Sequence, residues 1–224
     1  MRIRVVRVLG LCLLTTILTA CGPAIRWDEP GADRHVVRKG ETLFSIAFRY
    51  GRDPADVARW NRLGDGSLIY PGQVLRLSPP PETASSNPRK RQPLPKIPAE
   101  PPPAWDWPTM GRINVEFGAK PGTGTGVLID GRAGQAVLAA APGRVVYAGG
   151  GLIGYGQLII VKHNDTYLSA YGYNASLLVR EGQAIKKGQR IATMGEGPER
   201  KPRLHFEIRR NGKPVNPRQY LPAR

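Results

Sequence analysis

"RKPRLHFEIRRNG", residues Arg200 to Gly212, decides how the C-terminal half of this chain folds. Its Asn211-Gly212 pair is a strong two-residue hairpin signal, because such turns need residues that accept positive φ. Side chains on a strand alternate with period 2, so Arg203, His205 and Glu207 share one face of the stretch before the turn. A His-x-His pair on one strand face is half of a good zinc site. Here the first of those positions holds Arg203.

Outward from this hairpin the pattern stays β. "GRVVYAGG", "GQLIIVKH", "TYLSAYGY" and "QRIATMG" are short apolar runs punctuated by glycine, and Asn164-Asp165 marks a further turn. The glycine-rich "GGGLIGYGQ" has neither Walker nor dinucleotide spacing, which argues against phosphate binding. Upstream, residues 78–108 are dense in proline, "SPPPETASSNPRKRQPLPKIPAEPPPAWDWP", a composition that favours extended polyproline II as a semi-rigid spacer. Before it, a small module reads strand-helix-helix-strand. Thr42 caps a helix with a Leu43, Ile46, Ala47, Tyr50 stripe. Asp53-Pro54 starts a second helix, with proline where its missing N–H costs nothing.

The 224 residues carry a formal net charge of +16, which suits nucleic acid, an anionic membrane surface or an acidic polymer such as peptidoglycan. The N-terminus narrows the choice. "MRIRVVRVLGLCLLTTILTAC" combines a basic start with a short apolar run, the pattern of a secretory signal. Leu18-Thr19-Ala20-Cys21 resembles a bacterial lipobox, which makes Cys21 the lipidated first residue after cleavage. Gly22 stands where an inner-membrane retention Asp is expected, so the outer membrane is the implied destination. Export makes nucleic acid an unsuitable partner. Cys12 leaves with the signal, so neither a disulfide nor a Cys-based metal site is expected.

Two family resemblances are carried by specific text. "HVVRKGETLFSIAFRYGRDPADVARWNRL" with "IYPGQVLRL" resembles a LysM domain, which implies binding to N-acetylglucosamine-containing glycans, here peptidoglycan. The family's sugar groove falls on Gly40, Glu41, Thr42 and Leu43, facing Leu68, Ile69, Tyr70 and Pro71. The β-rich module resembles an M23 (LytM-type) peptidase domain through "GRINVEFG", "PGRVVYAGGGLIGYGQLIIVKHNDTYLSAYGYN", "VREGQAIKKGQRIATMG" and "RLHFEIRRNGKPVNP". Active members hold zinc through an H-x-x-D motif and the second His of H-x-H.

Carried over position by position, that family's metal motif is broken. H-x-x-D falls on Thr125 and Leu128, the histidine after Tyr-Ala falls on Tyr173, and only His205 survives from H-x-H, behind Arg203. The chain has three histidines, His35, His163 and His205, so a His-rich zinc site is not available. The best rescue is Asp130, which alternation puts on the same face as Leu128, with Glu207 near His205, giving a His-Asp-Glu site that would need a rebuilt geometry. The guanidinium at Arg203 opposes a cation there. No catalytic residue, metal or cofactor is therefore expected.

The expected architecture is multi-domain, a small α+β (βααβ) LysM module plus a mainly β M23/LytM-like domain joined by a Pro-rich linker. The expected boundaries are a signal peptide at 1–20, a tether at 21–33, LysM at 34–78, linker at 79–108 and degenerate peptidase-like domain at 109–224. The combination resembles the NlpD family of murein hydrolase activators. That resemblance implies a non-catalytic partner of a periplasmic N-acetylmuramoyl-L-alanine amidase. It implies an outer-membrane lipoprotein facing the periplasm of a Gram-negative bacterium, at the division septum. The groove residues Thr125, Leu128, Tyr173, Arg203 and His205 are then expected to bind that partner. Two alternatives stay open: a zinc metallopeptidase acting directly on peptidoglycan, and a structural tether between outer membrane and cell wall.

Overall fold

A computed structural model describes residues 32–64, 68–81, 100–120 and 124–223. The expected signal peptide, the expected lipidation site Cys21 and the middle of the Pro-rich segment lie outside the described residues.

The small module pairs β1 (Arg34–Val36) antiparallel with β2 (Val74–Arg76) and packs α1 (Leu43–Arg49) and α2 (Pro54–Trp60) against them. Both helix starts follow from the sequence. Thr42 accepts from the Ser45 amide while the Ser45 hydroxyl caps the Thr42 amide, and Asp53 accepts from Ala55 N–H. Leu43, Ile46 and Ala47 meet Val57, Leu75 and Leu77 in one apolar core, with Tyr50 at its edge.

The large module is a ten-stranded antiparallel sheet. It contains β3 (Ile113–Val115), β4 (Val127–Asp130), β5 (Ala136–Leu138), β6 (Gly143–Gly149), β7 (Gln157–Lys162) and β8 (Tyr167–Leu177). β9 (Ala184–Ile185), β10 (Arg190–Met194), β11 (Arg203–Arg210) and β12 (Lys213–Val215) complete it. The path runs β3-β4-β11-β8-β7-β6-β9; β12 pairs with β11, and β10 joins β8 to β5. The hairpin expected at Asn211-Gly212 forms, with both residues at positive φ and Arg210 facing Lys213.

Alternation on β11 then fixes what each face does. Leu204, Phe206 and Ile208 enter the main core with Val127, Ile129, Ile159, Val161 and Tyr171. Arg203, His205, Glu207 and Arg209 face the other way and are nonetheless buried.

One expectation needs correction. The Pro-rich segment does not act as a free spacer up to residue 108. Glu100 N–H donates to Thr166 Oγ1, Asp106 N–H donates to the Ala140 carbonyl, and Trp105 is buried in the main core. The indole supplies the apolar area that proline and glutamate lack, so the chain is captured by the sheet before the spacer composition ends.

Candidate functional site

The outward face of β11 lies between β4 and β8. His205 stands opposite Leu128 on one side and Gly172 on the other, while Arg203 stands opposite Asp130. The close approach of β4 depends on Gly126, where a Cβ would lie 2.3 Å from the Phe206 carbonyl oxygen and 2.7 Å from Glu207 Cγ. Tyr173 should point into the main core by alternation from Gly172. Its positive φ of 62° breaks that alternation. The ring swings beside Leu128 and Val115, edge-on to His205 at 5.7 Å between centroids. A non-glycine residue in that conformation is strained and must be held by its surroundings. Here Tyr155 O accepts from Tyr173 N–H, and Gly195 N–H donates to Tyr173 O, each at 2.8 Å.

The structure therefore gathers Thr125, Leu128, Tyr173, Arg203 and His205 around one stretch of β11. What holds them together involves residues that strand spacing alone does not nominate. Glu207, fully buried, accepts on Oε1 from the Thr125 hydroxyl, from Tyr155 Oη at 2.9 Å and from His205 Nε2 at 2.8 Å. On Oε2 it accepts from Arg209 Nε at 2.8 Å. Burial alone would push this carboxyl up. The Arg209 guanidinium, with His205 and Thr125 donating to it, holds it at about 2 instead. The Tyr155 hydroxyl is pushed up, first by burial and then by the neighbouring Glu207 charge. Tyr155 comes from the glycine-rich loop that carries no phosphate spacing. Its only signal in the sequence is an aromatic residue flanked by two glycines.

Arg203 is engaged differently. Its Nε donates to Asp130 Oδ1 at 3.0 Å and its Nη2 to Asn114 Oδ1 at 3.0 Å. Nη1 is buried with no hydrogen-bond partner among the described residues, and Glu199 is its nearest carboxylate at 3.9 Å. Glu199 and Arg200 both have positive φ, and the loop carrying them presses Gly197 against the Tyr173 ring.

These residues do not fit zinc. Of the three expected ligand positions, one holds a hydroxyl (Thr125) and one an isobutyl group (Leu128), neither of which replaces an imidazole or carboxylate donor, and His205 remains alone with the Arg203 guanidinium two residues away. The possible rescue by Asp130 and Glu207 is overturned by where their charges go. Asp130 binds Arg203, two register positions along the β4–β11 pair from His205, and Glu207 is already neutralised by Arg209. Among the described residues no three His, Cys, Asp or Glu side chains converge as a metal-holding group.

In the small module the assigned groove residues divide. Leu43 is buried in the core and does not face a groove, because it belongs to the inward stripe of α1. Thr42 is occupied as a helix cap, and Ile69 packs against the core. The Glu41 carboxylate binds His35 Nε2 at 2.6 Å and Arg49 Nη1 at 2.8 Å. Leu68 and Tyr70 are exposed, at 64% and 60% of their full area, and Gly40 sits at the turn with a φ of 83°. Pro71 is exposed beside them.

Fold and site together define a LysM module joined to an M23 peptidase fold whose metal-binding positions carry no metal donors beyond His205. The LysM domain profile matches residues 35–78, and the Peptidase family M23 profile matches residues 122–217. The chain belongs to the NlpD/LppB family of lipoproteins. It is 43% identical over 240 residues to the lipoprotein NlpD/LppB homolog of Pseudomonas aeruginosa, covering 90% of this chain and 81% of that one. It is 58% identical over 120 residues to the murein hydrolase activator NlpD of Escherichia coli, covering 54% of this chain but 32% of that protein. Among solved structures, the catalytic domain of lysostaphin from Staphylococcus simulans aligns with a TM-score of 0.46 at 25% identity, over 49% of this chain and 91% of that one.

Proposed function

We propose that this chain is a non-catalytic activator of a periplasmic N-acetylmuramoyl-L-alanine amidase, held at the outer membrane through a lipid on Cys21 and bound to peptidoglycan through its LysM module. Its place of action is the division septum, where amidase cleavage separates daughter cells. The observation that carries this reading is the self-neutralised cluster around His205, the one surviving position of the family's zinc motif. Glu207 is locked between Arg209 and His205, so neither a Lewis acid nor an activated water has donors to hold it there. Relatives named as murein hydrolase activators and as outer membrane antigenic lipoproteins support the same reading.

The partner contact we assign is the Arg203 end of the groove. Arg203 keeps one guanidinium nitrogen without a hydrogen-bond partner, buried beside the Tyr173 ring and the strained Glu199–Arg200 loop; displacement of that loop exposes it, and a guanidinium recognises a carboxylate strongly. Docking an inhibitory acidic segment of the amidase here shifts that enzyme toward its open state, provided the segment binds better when released. The test is release of soluble fragments from dye-labelled peptidoglycan by a purified amidase, with and without the full-length protein. Stimulation with no release by the protein alone is expected. Release without amidase would overturn the reading in favour of a peptidase. Absence of any stimulation would leave a structural tether.

A further inference from the structure

Helix α1 has two apolar sides. Leu43, Ile46 and Ala47 face their own module, while Phe44 and Phe48, at i and i+4, project from the opposite side onto the outer face of β6, β7 and β8. Phe48 packs edge-on to Tyr155, and Arg209 Nη1 donates to its carbonyl at 2.6 Å. The small module therefore sits on the same side of the large one as the β11 groove. The opposite side is built differently. On β5, just past β8, on β9 and on β10, Val137, Val179, Ile185 and Ile191 enter the main core. Alternation turns their neighbours Leu138, Leu178, Arg180, Lys186 and Arg190 outward. Leu204 and Phe206 of β11 fill the same core, so these outward side chains leave the module away from the groove.

That side carries a cleft of about 340 Å3 lined by Trp107, Met110 and Leu138, with Gly188 among its lining residues. Leu138 N–H donates to the Pro108 carbonyl, which seats the captured chain segment along β5. Met110 is 76% exposed and Leu178 51%, while Trp107 and Leu138 are half-buried. Arg190 stands opposite Leu138 in register, and Leu178 N–H donates to the Ile191 carbonyl, so apolar and basic side chains lie next to one another. The turn carrying Lys186 and Lys187 is pinned to the cleft, with Gly188 N–H donating to the Ala139 carbonyl at 2.8 Å. Arg180, Lys186, Lys187 and Arg190 are all exposed, and none forms an ion pair among the described residues. Two carboxylates lie near them. Asp106, in the cleft wall, accepts from the Trp107 N–H, and Glu181 accepts from the Ala148 N–H.

We propose that this face of the M23-like module is a membrane-contact surface, and that its partner is an anionic phospholipid bilayer. Met110 and Leu178 gain by entering the boundary of a hydrocarbon phase, and the surrounding lysines and arginines can lay their stems along it while their charges meet headgroup phosphates. An acidic glycan would satisfy the charges and leave the apolar side chains in water. Because the surface lies across the core from β11, a bilayer held there leaves Tyr173, Arg203 and the small module turned away from the membrane. The inference goes beyond the amidase reading and does not depend on it. A lipid on Cys21 limits the distance to the membrane, whereas this surface sets the orientation of the large module upon it.

The experiment is co-sedimentation with vesicles, using the chain from Gly22 onward without lipid, which keeps every described residue. One set of vesicles is phosphatidylcholine alone, and the other contains roughly one-third phosphatidylglycerol. Binding to the mixed vesicles and not to the neutral ones is expected. Lys186→Glu with Lys187→Glu should weaken it by about thirtyfold, at roughly fivefold per cation removed near an anionic surface. Met110→Ser with Leu178→Ser, at unchanged charge, should weaken it by about tenfold. Lys39→Glu with Lys213→Glu makes the same charge change on the small module and at the β11–β12 turn, and should leave binding within about threefold. All six positions are exposed, so the variants keep the packed core. No binding by the unaltered chain overturns the proposal. So does an equal loss in the Lys39/Lys213 variant, which would reduce the effect to the net charge of the whole molecule. Undiminished binding by the Met110/Leu178 variant overturns it too, and would assign the cations to an acidic macromolecule instead. Amidase stimulation is read by a separate assay, so none of these outcomes is confused with failure of that reading.

Discussion

Arg203 and Arg209 stand on the same face of one strand, yet their environments differ in kind. Arg209 is saturated: Glu207, the Phe48 carbonyl and Tyr155 take its nitrogens, and the Phe48 ring covers its plane. Arg203 has a side chain only 4% exposed, but its acidic partner Asp130 is 45% exposed and one of its nitrogens has no hydrogen-bond partner among the described residues. The first arrangement is closed and structural. The second is an enclosed guanidinium whose carboxylate neighbours, Asp130 and Glu199, lie about half exposed at its edge. One strand face thus carries an arginine closed in on all its nitrogens and another whose acidic partners open to solvent.

The largest effect should come from breaking the closed end. Arg209→Met removes the guanidinium and leaves Glu207 buried without its main counter-charge, a change that typically costs about 3–5 kcal/mol. A urea-unfolding series is expected to show that loss, and adding Glu207→Gln should restore most of it, because the uncompensated charge is then gone. A loss of under about 1 kcal/mol, the scale of an exposed ion pair, would show that Arg209 does not neutralise a buried acid.

The pH dependence sharpens the same point through its sign. In the native protein Glu207 is held at about 2 against an ordinary value of 4.5. Its contribution is therefore present above 4.5 and lost as pH falls toward 2, on the order of 3 kcal/mol by linkage. In Arg209→Met the main lowering influence is gone and burial, which raises the value, prevails. The native variant then takes up its proton before the unfolded chain does, so its deficit relative to the unaltered protein should shrink as pH falls toward 4.5. His163 supplies an internal control. Burial holds it at about 4, below the ordinary 6.5, so both proteins lose stability together as pH falls from 6.5 toward 4. If the deficit stays constant across that range, the coupling of Arg209 to Glu207 is wrong.

How much of this was readable beforehand depends on distance along the chain. The β11 strand, its Asn211-Gly212 turn, and the caps at Thr42 and Asp53 are local patterns, and they form as the spacing predicts. The loss of zinc donors was legible by counting histidines. Alternation even placed Asp130 on the face of Leu128, but it could not show that Arg203, directly opposite in register, would claim the carboxylate. The closed cluster was out of reach, because Arg209 and Phe48 lie 161 residues apart and the contact uses a backbone carbonyl that leaves no trace in residue type. Phe44 and Phe48 did leave a trace, a second apolar pair on the far side of α1. It is invisible to a reading that stops once one stripe explains the helix.

The smallest effect on stability is expected at the open end, and there it is most informative. Arg203→Ala frees Asp130, which is exposed enough to be rehydrated, so the cost should stay near about 1 kcal/mol. Arg203→Lys keeps the charge but loses the planar fork that meets a carboxylate with two parallel bonds. If the open end binds the amidase, both variants should fold normally while stimulation falls by about tenfold or more for alanine and by less for lysine. The lysine variant separates charge from geometry, since simple long-range attraction would leave it close to the unaltered protein. Equal stimulation by all three proteins would mean that the unsatisfied nitrogen on Arg203 is an incidental feature of the buried strand and that the partner docks on another face. A stability loss matching that of Arg209→Met would mean that the two arginines do the same work, and the division of this strand into a closed end and an open end would fall.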